Sequence, residues 1–187
     1  MDQESKRSAL GNPAPRSSRL GALGDERGAA ALEFALVAMP LIALILAALQ
    51  TAVIMFYDQA LQTATEKSAR QLMIGSVQDS GLNQAAFKSL VCANAPLFKC
   101  SGLMVDVESA SAFSSISTSA LTLTYNASGA VTNSWTYSPG SAGDIVILRV
   151  MYDWPVFGGP LALTLANQPN GAHLLVGTAV FKNEPYQ

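Results

Sequence analysis

Residues 29–56 read AAALEFALVAMPLIALILAALQTAVIMF, 28 positions in which the one ionisable side chain is Glu33. A helix that crosses a bilayer needs about 20 apolar residues, so this run can span a membrane with interfacial residues to spare. A secretory signal peptide has an apolar region of roughly 7 to 15 residues ahead of a small-residue cleavage site. This run is far longer, and Gln50 and Thr51 make a poor site after Leu49. The rest of the chain must therefore be arranged around one membrane helix. Its carboxylate needs a reason, because a charge costs roughly 2.5 to 3.5 kcal/mol at the bilayer centre and less near the edge.

The flanks give the helix a direction. Residues 1–28 contain Lys6, Arg7, Arg16, Arg19 and Arg27, five of the chain's 11 basic residues, set among Gly, Pro and Ser without hydrophobic periodicity. We expect a disordered, solvated leader. Basic residues beside the first hydrophobic span hold that flank in the cytoplasm, which sends the remainder of the chain outward. The 131 residues after Phe56 suffice for one modest domain. From residue 57 onward 8 acidic residues stand against 6 basic ones, with no basic run or aromatic-basic stripe. Nucleic acid is not an expected partner.

Helical spacing continues beyond the apolar run. Tyr57, Leu61, Ala64, Ser68 and Leu72 recur on one face with Ala60 and Ala69 beside them, while Asp58, Gln62, Glu66, Lys67 and Arg70 take the other. Gly75 is the expected stop. One continuous helix of about 46 residues would be roughly 70 Å long, apolar all round in its first half and amphipathic in its second. The alternative is two helices, an anchor and a separate domain helix. Pro40 removes a backbone donor from the Leu36 carbonyl and favours a kink that packing can accommodate. Ser80 reads as the N-cap of a short helix carrying Leu82, Ala86, Leu90 and Val91 near one face. Cys92 and Cys100 are the only cysteines. In a cytosolic chain they would be buried thiols or half a metal site, and with no nearby His or further Cys a poor one. Outside the membrane they should close a small disulfide loop.

After Leu103 the period becomes two. Leu103, Val105 and Val107 alternate with Met104, Asp106 and Glu108, and Leu121, Leu123 and Tyr125 alternate with threonines. Further strands are expected at 131–137, 144–153 and 173–182, with a loop formed by Trp154, Pro155 and the Gly158, Gly159 and Pro160 cluster, and a short helix at 161–166. The short connection around 127–129 suggests an antiparallel sheet.

Motifs for catalysis are missing. His173 is the only histidine, so a triad would have to use it with Asp144 or Asp153, and no GxSxG, HExxH or phosphate loop is present. We expect no enzyme, cofactor or metal site. Asp106 and Glu108 share a strand face and read as solvated rather than as a paired acid-base or metal site. Asn126, Ala127 and Ser128 form a glycosylation sequon of a kind frequent by chance. The ending NEPY reads either as a docking tail or as a frayed end.

Gly28 on its own is a flexible joint, and Glu33 on its own an interfacial residue reaching for water. Together they have the separation of a type IV prepilin processing motif: glycine, four small or apolar residues, glutamate, an aromatic, then a hydrophobic helix. The segment with its ALEFALV start resembles the TadE-like pseudopilins of the tight-adherence (Flp pilus) machinery. Phe34 stands where the major Flp pilins carry Tyr and suits the TadE-like branch. The likeness extends to 91–113, around the cysteines and LMVDVESASAF, and to 143–186, with GDIVILRVMYDWP and FKNEPY.

The resemblance implies a bacterial, non-enzymatic, minor pilin-like subunit of a tight-adherence pilus or related secretion system. A prepilin peptidase would cut between Gly28 and Ala29, and Glu33 and Phe34 would serve processing and assembly. Expected partners are that peptidase, other pilins or pseudopilins, and the assembly platform of the inner membrane. The domains are then a cytoplasmic leader at 1–28, a transmembrane helix at 29–57 and a periplasmic domain at 58–187, with the subunit in or at the tip of a pilus once assembled. The fold class is α+β, a long N-terminal transmembrane and stalk helix packed on a small antiparallel sheet. The competing function is an uncleaved, single-pass periplasmic scaffold or binding protein.

Overall fold

The computed structural model describes residues 26–117, 119, 121–156 and 164–185, with side chains from residue 28 onward. Residues 1–25 of the expected leader, the loop at Gly158, Gly159 and Pro160, positions 161–163 of the expected short helix, and Tyr186 lie outside the described residues. The chain divides into two compact units, Met1–Ile42 and Ala43–Gln187.

Helix α1 is Glu26–Met73, 48 residues that continue through Pro40 and past Phe56 without a break. The continuous-helix expectation therefore holds. In the first unit its large apolar side chains stand exposed, Phe34 at 75% and Val37 at 69%. In the second unit the helix becomes amphipathic, and Leu61, Ala64, Thr65, Ser68, Ala69 and Leu72 are buried at three- and four-residue steps. The hydroxyls along α1 are satisfied by the preceding turn: Thr51 donates to the Ala47 carbonyl at 3.0 Å and Thr65 to that of Leu61 at 2.8 Å. Gly75 stops the helix in the left-handed region at φ 79°, its N–H reaching the Leu72 carbonyl at 3.1 Å.

A one-turn helix α2 (Ser76–Asp79) leads to α3 (Gln84–Asn94). The N-cap of α3 is Asn83, whose Oδ1 accepts the Ala86 N–H at 2.9 Å, and not Ser80. Ser80 instead closes α2, donating its hydroxyl to the Ser76 carbonyl at 2.7 Å. The cause is Gly81, whose positive φ of 60° turns the chain between them so that a helix can begin only beyond it. Phe87 and Val91 form the buried face, Leu82 and Leu90 are half-buried, and Ala86 is exposed.

Strands β1 (Leu103–Ala110), β2 (Ile145–Pro155) and β3 (Ala172–Lys182) form an antiparallel sheet with β2 in the centre. One face carries Val105, Val107, Val146, Leu148, Val150 and Leu175 into the core that α1 and α3 cover. The other face is covered over β1 and β2 by residues 121–135, where Leu123 and Trp135 pack on Met104 and Met151.

The expected strands at 121–125 and 131–137 are absent as regular strands. They form a loose hairpin with one bridge, Tyr125 to Val131, and Tyr137 bridges singly to Val107. Side chains displace the ladder there. The Thr124 N–H donates to Asn133 Oδ1 at 2.7 Å, and Asn133 Nδ2 donates to the Thr122 carbonyl at 3.0 Å. The sheet is antiparallel as expected, but its pairing comes from β1, β2 and β3 rather than from this hairpin.

Candidate functional site

The motif residues lie within the first two and a half turns of α1. Gly28, Ala29, Glu33 and Phe34 are all exposed, and the Gly28 to Ala29 bond falls inside the helix that begins at Glu26. Ala29 and Glu33 are four residues apart and so share a face. Of the most apolar stretch of α1 only 6% is buried, which separates it from the core helix of a soluble domain. An apolar surface of this extent is matched by lipid or by other helices.

Where the apolar run ends, aromatic residues from three parts of the chain meet. Tyr57 on α1 lies 3.8 Å from Trp154 between ring centroids and meets Phe98 edge-on at 5.8 Å; Phe98 meets Tyr152 at 5.1 Å. The Cys92–Cys100 disulfide, with 5.3 Å between Cα atoms, closes the loop that carries Phe98 to this position. Edge-on pairs such as Tyr57–Phe98 and Phe98–Tyr152 contribute about 0.5 to 1.5 kcal/mol beyond their buried area. The cluster was not legible beforehand: Trp154 and Pro155, expected in a loop, continue β2 because both pair with β3, opposite His173 and Ala172, although a Trp there and a Tyr ending an apolar run are both interfacial signals.

Asp106 and Glu108 do not form a solvated face. Asp106 is 3% exposed and accepts from Arg149 at 3.0 Å; Arg149 is 4% exposed and also meets Glu108 at 3.2 Å. The second Arg149 nitrogen donates to the Ser117 carbonyl, and the other Asp106 oxygen accepts the Thr136 N–H at 2.9 Å. The covering hairpin excludes water, and strand register places Asp106 opposite Arg149. An arginine in the middle of IVILRVMY was the signal, since a buried charge requires a partner. With each group paired, the cluster ties the hairpin to the sheet.

The remaining polar candidates are separately occupied. His173 Nδ1 contacts the Leu165 carbonyl, Asp144 accepts the Ser141 N–H, and Asp153 accepts from Asn170 and from Tyr125. Burial, and then the Asp153 charge and hydrogen bond, push the Tyr125 hydroxyl up to about 12. Among the described residues no group of three or more His, Cys, Asp or Glu side chains is placed to hold a metal. The chain ending is tied down through Glu184. Buried Asn183 donates to the Pro139 carbonyl at 2.9 Å, and the Glu184 N–H closes the Met73 carbonyl at the end of α1 at 2.8 Å.

An exposed apolar helix long enough to span a membrane, followed by an α+β domain with one disulfide, is the layout of a single-pass anchored protein. Residues 28–70 match the family model described as TadE-like protein, the family that the Gly28 to Phe34 motif resembles. That family associates it with minor pilin-like proteins of the tight-adherence pilus and, in general terms, with pilus-assembly partners. The match ends within α1, and the stretches at 91–113 and 143–186 lie beyond it. No curated protein and no solved structure matches the chain.

Proposed function

We propose that this chain is a minor pilin-like subunit for assembly of a tight-adherence pilus, cut by a prepilin peptidase between Gly28 and Ala29. It works without catalysis or a cofactor, anchored in the inner membrane with residues 1–28 in the cytoplasm and 58–187 in the periplasm. The observation that carries this reading is the exposed apolar helix with one carboxylate, Glu33, five residues after Gly28, inside the segment that matches the TadE-like family. The disulfide supports an oxidising compartment for the domain. The bond to be cut lies in the first turn of α1, where the N–H groups lack intrahelical partners and glycine weakens the helix by about 1 kcal/mol. Such an end frays readily enough to be presented to a peptidase in extended form.

The test is intact-mass analysis of protein recovered from membranes, with and without the peptidase. The mature chain should begin at Ala29 and contain 159 residues. Gly28 replaced by a bulky residue should insert but stay uncut. A wild-type chain that keeps residues 1–28 when the peptidase is present would instead establish the uncleaved scaffold.

A further inference from the structure

We infer that the β2–β3 end of the sheet, Trp154, Pro155 and Val156, is itself seated in the lipid headgroup and upper acyl region of the outer leaflet, beside the spanning helix. This rests on the reading that α1 crosses the bilayer and adds a second point of membrane contact to it.

Depth along the helix carries the inference. The apolar run ends at Phe56, and Asp58 is the first carboxylate after it. Val53 and Ile54 lie about one helical turn before Asp58, at the outer end of the stretch that spans a hydrocarbon core about 30 Å thick. In the structure Trp154, Pro155 and Val156 line one cleft with Leu49, Gln50, Val53 and Ile54. A second cleft joins Leu165 and His173 to Thr51, Ile54, Met55 and Asp58. The end of the sheet therefore stands at the depth at which the helix leaves hydrocarbon.

Chemistry agrees with that placement. No Asp, Glu, Lys or Arg lies between Asp153 and Lys182, and the charged residues that border this end, Asp58 beside Leu165 and His173 and Lys88 and Asp153 beside Pro155 and Val156, are of a kind that the headgroup layer accommodates. Pro155 is exposed, and Trp154 is half-buried against Tyr57. Tryptophan and tyrosine favour this layer because an apolar ring and a polar edge are both accommodated. Asp58 directly follows Tyr57, and Asp153 directly precedes Trp154, in the sequence. Release of the subunit from the membrane would then have to free the sheet tip as well as the helix.

The experiment uses the full chain in phosphatidylcholine nanodiscs whose lipids are brominated either high on the acyl chain or near its end. Trp135→Phe leaves Trp154 as the only tryptophan. Its emission should fall by about half with the shallow bromine and less with the deep one, as for a side chain about 5 to 10 Å into the boundary. A control chain with Trp135→Phe, Trp154→Phe and Leu41→Trp reports the span itself and should be quenched most by the deep bromine. If Leu41→Trp is quenched and Trp154 by neither lipid, the helix spans and the sheet tip stands in water, which overturns the inference alone. If Leu41→Trp is also unquenched, the spanning reading fails and the inference with it.

Discussion

At Gly177 the helix and the sheet approach so closely that a Cβ there would lie 2.2 Å from Thr65 Oγ1 and 3.1 Å from the Leu61 carbonyl oxygen. Ala64, Thr65 and Ser68 are the small residues that permit this, and each hydroxyl is turned back onto its own helix. Gly177→Ala should cost about 1 to 3 kcal/mol by overpacking, measured by urea unfolding of the disulfide-intact protein. Adding Thr65→Ala should recover part of that loss, and strict additivity of the two changes would show that they do not meet. Tyr125 gives a pH prediction. Its hydroxyl is held protonated in the fold up to about 12, against 10.0 for a free tyrosine. The native state therefore binds more protons than the unfolded chain in that window, so its stability is full below pH 10 and falls as pH rises toward 12. Tyr125→Phe should flatten that fall, read from unfolding midpoints across the alkaline range.

At the scale of elements, α3 and the loop after it act as a bracket for the aromatic cluster. Asn83 caps the helix, Asn94 Nδ2 donates to Ser68 on α1 at 3.0 Å, and the disulfide holds Phe98 against Tyr57 and Tyr152. A loop this short should contribute roughly 2 to 3 kcal/mol through its cross-link. Alkylation of the denatured, unreduced protein from cells should label neither cysteine, and quantitative labelling of both would overturn the outward topology as well as the pairing. Periodicity made α1, β1, β2 and β3 legible, since each presents a continuous or regularly spaced apolar face. The hairpin at 121–137 was misread as two strands because Thr and Asn favour β in a pattern yet compete for the backbone through their own side chains. Ser80 was misread as a cap because a cap residue is recognised by type, whereas the turn at Gly81 depends on a backbone angle.

For the whole molecule, the test that separates a pilin-like subunit from a plain anchor is Glu33. Cleavage would create a positive α-amino group on Ala29, one turn from that carboxylate and on the same face of α1. When such helices bundle in lipid there is no hydrophobic drive between them, so pairing of one subunit's carboxylate with its neighbour's amino group can set register. Glu33→Gln should insert normally, be cut at Gly28 or nearly so, and fail in assembly, with insertion, processing and pilus formation measured side by side. A variant that matches the wild type in all three would leave Glu33 as an interfacial residue only.

By itself the sequence determined what depends on local composition: one membrane-length apolar helix, its continuation as an amphipathic helix, the placement of three apolar strands, and the Gly28 to Phe34 motif within a TadE-like segment. Only the tertiary structure decided which polar residues are buried. Asp106 and Arg149 are 43 positions apart and become partners through strand register and a covering hairpin. The same holds for Trp154, Phe98 and Tyr57, and for Glu184 closing the end of α1, because burial and pairing across long separations depend on how the elements pack rather than on spacing along the chain.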